Sequence, residues 1–231
     1  MNEPYSYENA KRFQWSSVTG NLDSERVSYL ERYIVGTKIL DAGCGGGAYV
    51  NFLANKGLEV TGLEKSDEFI KLALDSHFSG TFIHGDITRL PFPDKYFDCT
   101  YCFDVLEHVD DISALKEMAR VTTRRLILTL PKEDEEMGNF NLTFLHNQDK
   151  THHRNYTYLS LENLISSIIY NNINIFPELP IPIKELIRQK IRFTKSNRIM
   201  NSIFRKSLNF LLKKTSYEDV YVGLVAIVDL I

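Results

Sequence analysis

The chain is predicted to fold as an α/β domain with a mostly parallel sheet and helices on both faces, and three observations predict it. Short apolar runs at residues 38–41, 58–63, 81–87, 96–103 and 125–130 alternate with segments of helical spacing. Such strand–helix–strand alternation builds parallel sheets through right-handed crossovers. A glycine run, Gly43 to Gly47, separates the first apolar run from the helical segment that follows it. The second apolar run closes on a single acid, Glu64.

Taken in order, residues 23–34 carry apolar side chains at helical spacing and predict a helix at the sheet edge or over the ligand face. Residues 38–41 are the first strand, and a helix runs from Ala48 until Gly57 stops it. Ser66 caps the next helix, with Asp67 and Glu68 favouring its positive end. A third strand spans 81–87, and residues 96–109 read as a fourth strand running into a helix start. Residues 112–121 then form a helix and 125–130 a fifth strand. After Pro131 the alternation breaks: residues 132–156 are polar and rich in Asn and His, and a loop of that length in a compact domain usually has a function. A helix at about 160–170, a sixth strand at 173–176 and a last strand at 220–228 complete the reading.

The glycines carry the first chemical signal, because they reach φ > 0 and let backbone N–H groups approach a ligand closely. An acid at the end of the next strand is suited to accept both hydroxyls of a ribose. Gly43-x-Gly45-x-x-Ala48 also fits a dinucleotide fingerprint, so the neighbours decide. Asp41 stands just before the turn, poorly placed beside a pyrophosphate and well placed near an ammonium group. No Gly-Lys-Ser/Thr follows, which excludes a phosphate-cradling P-loop. An adenosine joined to a cationic amino acid fits, and that is the shape of S-adenosylmethionine. Further along, Asp86 is suited to accept the adenine amine, with Ile87 on the ring.

From Thr37 to Lys132, somewhat under half the chain, this succession of motifs resembles the class I S-adenosylmethionine-dependent methyltransferases, in particular the branch with ubiquinone-pathway and small-molecule enzymes. The resemblance implies a Rossmann-like seven-stranded sheet of order 3-2-1-4-5-7-6, its last strand antiparallel between the fifth and sixth. It implies a cofactor site of Asp41, Gly43, Cys44, Gly45, Glu64, Lys65, Asp86, Ile87, Phe103 and Asp104, with the last two beside the sulfonium. The expected activity is methyl transfer to an oxygen or nitrogen of a small molecule. Other readings are an RNA, lipid or quinone methyltransferase, a non-catalytic nucleoside-binding module and, as a third class, a dinucleotide oxidoreductase.

With 231 residues and 43% hydrophobic content, one well-buried domain with additions is expected. Three cysteines, Cys44, Cys99 and Cys102, cannot all pair, and the sequence begins Met-Asn-Glu-Pro-Tyr without a basic-then-apolar leader, so a cytoplasmic location is expected. Cys99 and Cys102 have C-x-x-C spacing inside a predicted strand, which puts them on opposite faces as core residues. Net charge is −3 but polarised: residues 184–214 hold ten Lys and Arg against Glu185 alone, +9, leaving −12 on the remainder.

Proton-handling candidates lie near the carboxyl ends of the strands, where such sheets bind ligands. His108 ends the fourth-strand motif, and Asp104, Glu107 and His108 form an acid-x-x-acid-His cluster. In some relatives a similar cluster holds a divalent metal; Asp in place of the first Glu shortens the reach here, and an orienting role for His108 is favoured, with no metal expected. His152 and His153, in the run from Asp149 through Arg154 to Tyr156, are the other catalytic candidates, with Arg154 suited to a carboxylate or phosphate. His77, His84 and His146 carry no functional signal. Residues 1–35 are expected to form a helical extension, 133–156 a substrate-side loop, and 177–217 a basic helical insertion acting as a lid. Membrane contact ranks second for that insertion and nucleic acid third, since no aromatic platform interleaves its charges.

Overall fold

The computed structural model describes residues 7–13, 15–138, 142–184 and 219–231. The basic cluster therefore lies outside the described residues apart from Lys184. Among the described residues three helices come first: α1 (Tyr7–Phe13), α2 (Ser16–Thr19) and α3 (Ser24–Tyr33). Asp23 caps α3 by accepting the N–H groups of Glu25 and Arg26. Then come β1 (Lys38–Ala42), α4 (Ala48–Ala54), β2 (Glu59–Glu64), α5 (Asp67–Asp75), β3 (Thr81–His84), β4 (Phe97–Phe103), α6 (Asp111–Val121) and β5 (Thr122–Pro131). After β5 follow α7 (Glu135–Gly138), α8 (Tyr158–Ile165), β6 (Tyr170–Ile181) and β7 (Val220–Leu230), with short 3-10 turns at Leu106–His108 and Leu145–Gln148.

Among the described residues seven strands form one sheet of order β3-β2-β1-β4-β5-β7-β6, as the resemblance implied. β3, β2, β1, β4 and β5 run parallel, and β7 lies antiparallel between β5 and β6. The order reverses between β1 and β4, so the crevice at the carboxyl ends of these two strands is where ligands of open α/β sheets bind.

Strand alternation divides the core in two. Leu40, Cys102, Leu126 and Leu128 face α6 and α8, where Leu115, Met118 and Leu161 are fully buried. Ile39, Cys99, Tyr101 and Ile127 face the other way, against Leu30 of α3 and Tyr49, Val50 and Leu53 of α4. Cys99 and Cys102 thus lie on opposite faces of the sheet, and both are free thiols.

Several boundaries differ from the sequence reading. The third strand stops at His84, because Asp86 turns the chain by accepting the N–H and hydroxyl of Thr88. The fifth strand starts at Thr122, directly after α6. Helix α8 ends at Ile165, and β6 occupies twelve residues, through Ile181, so the sheet takes up the first part of the stretch expected as insertion. Pro177 and Pro180 sit within β6 because it pairs with β7 alone among the described strands; an edge strand tolerates residues with no N–H to donate. Among the described residues no helix is long and apolar enough to cross a membrane.

The central strands should dominate stability. Leu126→Ala, at a fully buried position between the sheet and α6, is expected to cost about 2–5 kcal/mol in urea unfolding.

Candidate functional site

The turn after β1 is held by the end of β2. Ala42 pairs with Leu63 in the sheet, and the N–H groups of Gly43 and Cys44 both donate to the Leu63 carbonyl, at 2.8 and 3.0 Å. Gly45 N–H then donates to Glu64 Oε2 at 2.9 Å. Gly43 has φ +92° and Gly47 has φ +82°; a Cβ on the first would run into Val105 and on the second into Phe82. Both are sites where backbone must pass close to other atoms in a conformation that costs other residues energy.

Gly43, Gly45, Asp41 and Glu64 line one cavity of about 1490 Å³, which also takes in Ile87 and Phe103. Pockets for one drug-sized ligand run from roughly 300 to 1,000 Å³, so this space has room for a cofactor and a second molecule. Glu64 accepts N–H groups from Gly45, Lys65 and Ser66. Two carboxylate oxygens offer about four lone-pair sites, which leaves acceptor capacity facing the cavity. Burial raises its pKa, against those three hydrogen bonds. Asp41 is buried and accepts the Tyr101 hydroxyl at 2.8 Å; desolvation pushes its pKa to about 8, against that hydrogen bond and helped by nearby Glu64.

Two expected cofactor residues stand elsewhere. Cys44 is buried beneath the turn, where a Cβ on Gly62 would meet its Sγ, and it does not line the cavity. Asp86 does not line it either: its carboxylate is engaged by Lys65 Nζ at 2.7 Å and by Thr88, which hold its pKa down to about 2. Lys65, Gly85 and Ile87, around it, do reach the wall.

Beyond Phe103 the cavity becomes charged. Asp104 takes a left-handed backbone, φ 52°, and its carboxylate meets Arg26 of α3 at 2.6 Å and the Thr129 hydroxyl at 3.2 Å. Arg26 also lies 3.5 Å from Glu178 of β6 and 5.4 Å from the Phe103 ring centroid. Burial opposes the guanidinium charge, but Asp104 and Glu178 outweigh it and hold the group protonated. Glu178 is itself raised, first by burial, with Arg26 pulling against it, and its Oε2 has no hydrogen-bond partner among the described residues. Arg26 and Glu178 carried no signal in the sequence: one is a helix cation among many, the other falls between two prolines.

The 132–156 loop closes the far side. Lys132 bridges Tyr156 in parallel, and Tyr156 donates its hydroxyl to Asp111 at 3.0 Å. Arg154 spends its guanidinium on the carbonyls of Leu106 and Val109, at 3.1 and 2.7 Å, and on Asp111 at 3.3 Å; it holds the 3-10 turn and does not line the cavity, contrary to the expected substrate contact. His153 donates its N–H to Glu107 O at 2.8 Å while its side chain is exposed and off the cavity wall. His108 and His152 do line the cavity, rings edge-on at 4.5 Å, and so does His146, which stacks on His152 at 6.0 Å and which the sequence reading had set aside. Burial, then His152, lower the His108 pKa to about 4, although Asp149, the Thr151 main chain and Asp104 push back. Burial raises the Glu107 pKa well above the carboxylate range. One donor atom each from Glu107, His108 and His152 lie within 4.8 Å of one another, a set able to share an ion; Asp104, turned to Arg26, is not part of it.

A buried neutral acid ties stability to pH. The unfolded chain gives up the Asp41 proton near its ordinary pKa of 3.8, whereas the folded chain keeps it to about 8, so folding stability falls as pH rises between those values. Glu178 acts in the same direction. The thermal midpoint of the ligand-free protein is expected to drop from pH 5 to pH 8, and Asp41→Asn to flatten part of that slope.

The methyltransferase domain family model matches residues 40–128, the segment from β1 through β5. A malonyl-[acyl-carrier protein] O-methyltransferase of Pectobacterium atrosepticum is 34% identical over 88 residues, 38% of this chain and 35% of that protein. A ubiquinone biosynthesis O-methyltransferase of Proteus mirabilis is 33% identical over 99 residues, 39% of this chain and 40% of that one. The match thus spans little more than a third of these relatives' length. The fold extends further: a SAM-dependent methyltransferase from Archaeoglobus fulgidus superposes with a TM-score of 0.63 at 18% identity, over 94% of this chain and 99% of that one. The chain thus has the fold of a SAM-dependent methyltransferase, with the strand order 3-2-1-4-5-7-6, and its segment from β1 to β5 matches the methyltransferase domain model.

Proposed function

We propose that this chain transfers a methyl group from S-adenosylmethionine to an oxygen or nitrogen of a small-molecule acceptor by in-line displacement. The observation that carries the reading is one continuous cavity that joins the Gly43–Gly47 turn and the Glu64 carboxylate to Phe103, Asp104 and the imidazoles beyond. The donor set suits the cofactor: a backbone cradle that a Cβ would fill, an acid with lone pairs to spare for a ribose diol, and Asp41 for the methionine ammonium. Ile87 and Leu63 supply an apolar wall for the base, which leaves the adenine amine without the acid the sequence suggested at Asp86.

The chemistry S-adenosylmethionine supplies in such a site is an electrophilic methyl group attached to its own leaving group, so the protein's task is mainly placement. Holding two reactants in line is worth roughly 7–11 kcal/mol as effective molarity. Phe103, T-shaped against Tyr49 at 5.6 Å, walls the junction between the two halves of the cavity. On the acceptor half, Leu179, Ile181 and Val222 enclose apolar parts of the substrate, and His108 accepts its hydrogen bond. A conjugate-acid pKa of about 4 keeps that imidazole neutral at pH 7.

Glu64→Ala is expected to weaken S-adenosylmethionine binding by about 2–3 kcal/mol, roughly 30- to 150-fold in calorimetry, through loss of charge-assisted hydrogen bonds to the ribose and of the anchor on Gly45. Affinity within twofold of the parent would remove the assignment. Turnover with a responsive acceptor, measured as release of S-adenosylhomocysteine, is expected to persist in excess EDTA, because Asp104, the first acid of the acid-x-x-acid-His cluster, is committed to Arg26. Loss of turnover in EDTA, restored by a divalent ion, would reassign Glu107, His108 and His152 to a metal.

A further inference from the structure

We propose that Glu178 selects the acceptor: the cavity takes a molecule that carries an amine, and Glu178 Oε2 holds that nitrogen as an ammonium group. That the bound amine is a methyl acceptor rests on the function proposed above; the amine site itself does not. Glu178 lies in β6 and lines the cavity, with its side chain only 2% exposed. Its Oε1 stands 3.5 Å from Arg26, whose closer contact, at 2.6 Å, is with Asp104. Oε2 has no hydrogen-bond partner among the described residues. A buried oxygen so placed is costly in either state: ionised, it lacks a donor, and protonated, it lacks an acceptor. A ligand nitrogen with hydrogens to give supplies the missing partner.

Two strands make room for this carboxyl group. Glu178 pairs with Gly223 of β7, and a Cβ on that glycine would come within 2.7 Å of Oε1 and 2.8 Å of Cγ. A glycine inside a strand marks a close approach, and here the Glu178 side chain uses the space. The next residue, Leu179, has φ +54°, a backbone that bulky side chains rarely adopt, and its N–H donates to Glu25 Oε2 of α3 at 3.4 Å. The charges then favour a cation. Besides Arg26, the groups that act on Glu178 are Asp104, Glu25 and Asp23, three acids against one guanidinium. Burial first, and then these acids, raise its pKa, with Arg26 pulling against them. An ammonium group offsets that excess of acids, whereas a carboxylate or phosphate would add to it. Leu179, Ile181 and Val222 of the same two strands line the cavity as well, so the amine that fits is one on an apolar body.

The test is calorimetry on the full chain at pH 7, with and without S-adenosylhomocysteine, using matched probes that differ only in their polar group. One set is hexylamine, hexanol and hexanoate, and the other is phenethylamine, phenethyl alcohol and hydrocinnamate. In at least one set the amine is expected to bind about ten- to a hundredfold more tightly than the alcohol, the range of a charge-assisted hydrogen bond, and the carboxylate most weakly. Glu178→Gln, which keeps the size and removes the charge, should abolish most of that preference while S-adenosylhomocysteine affinity stays within twofold of the parent. The ranking in the parent needs no variant, so a misfolded Glu178→Gln leaves the test decisive. An alcohol or carboxylate that binds as tightly as its amine, no detectable binding of either amine, or an unchanged preference in a folded Glu178→Gln would overturn the proposal. Amine binding that depends on Glu178, with no S-adenosylhomocysteine released from S-adenosylmethionine in any broad acceptor pool, would instead overturn the function proposed above and leave the amine site standing. Methyl transfer to alcohols or acids with no preference for amines would do the reverse.

Discussion

The pairing of β1 with β2, and the hydrogen bonds by which the end of β2 grips the turn after β1, are the constraint on which the site depends. Leu63 O takes two consecutive N–H groups of the glycine turn, and Glu64 takes a third. Parallel strands in register place these groups side by side. An acid one position off in β2 would point to the other face of the sheet, and a residue with a side chain at Gly43 or Gly47 would push the turn away from Val105 or Phe82. Backbone donors, the carboxylate proposed for the ribose and the apolar wall thus share one origin.

Around that frame the protein keeps an unusual number of acids out of water. Asp41, Glu107 and Glu178 are buried, and each has a raised pKa whose first cause is desolvation. Burying an ionised carboxylate without partners is prohibitive, so such groups stay protonated or share a cation. Tyr101 supports Asp41, Arg26 lies between Asp104 and Glu178, and Glu107 keeps one oxygen without a partner among the described residues. All three acids line the same cavity. A fold selected for stability alone would place apolar side chains there; the retained polarity suits a ligand with hydrogen-bond donors.

Much of the cofactor half was legible in the chain, and much less of the acceptor half. Gly43, Gly45, Asp41 and Glu64 announce themselves because they sit at the ends of two adjacent strands, and short-range spacing decides where they go. Cys44 and Asp86 share those stretches yet leave the cavity, since the direction of a side chain in a turn follows local φ and ψ and a nearby partner, here Lys65 and Thr88 for Asp86. Of the loop histidines, His152 reaches the cavity and His153 does not, a difference of one residue settled by the main-chain bond from His153 to Glu107. His146, dismissed on sequence, joins them because the loop folds back over β5 through the bridge between Lys132 and Tyr156.

By itself the sequence determined the class of sheet, its strands and caps, and the place of the glycine turn beside the acid that closes β2, because each depends on residues a few positions apart. Only the tertiary structure decided that Arg26 of an N-terminal helix would balance Asp104 and Glu178, or that Thr151 would meet His108 across forty-three residues. Those contacts join elements whose approach is set by packing of the whole sheet and by the desolvation that follows. No local pattern encodes either quantity, since the same Arg, Thr and Asp in water would be ordinary surface residues.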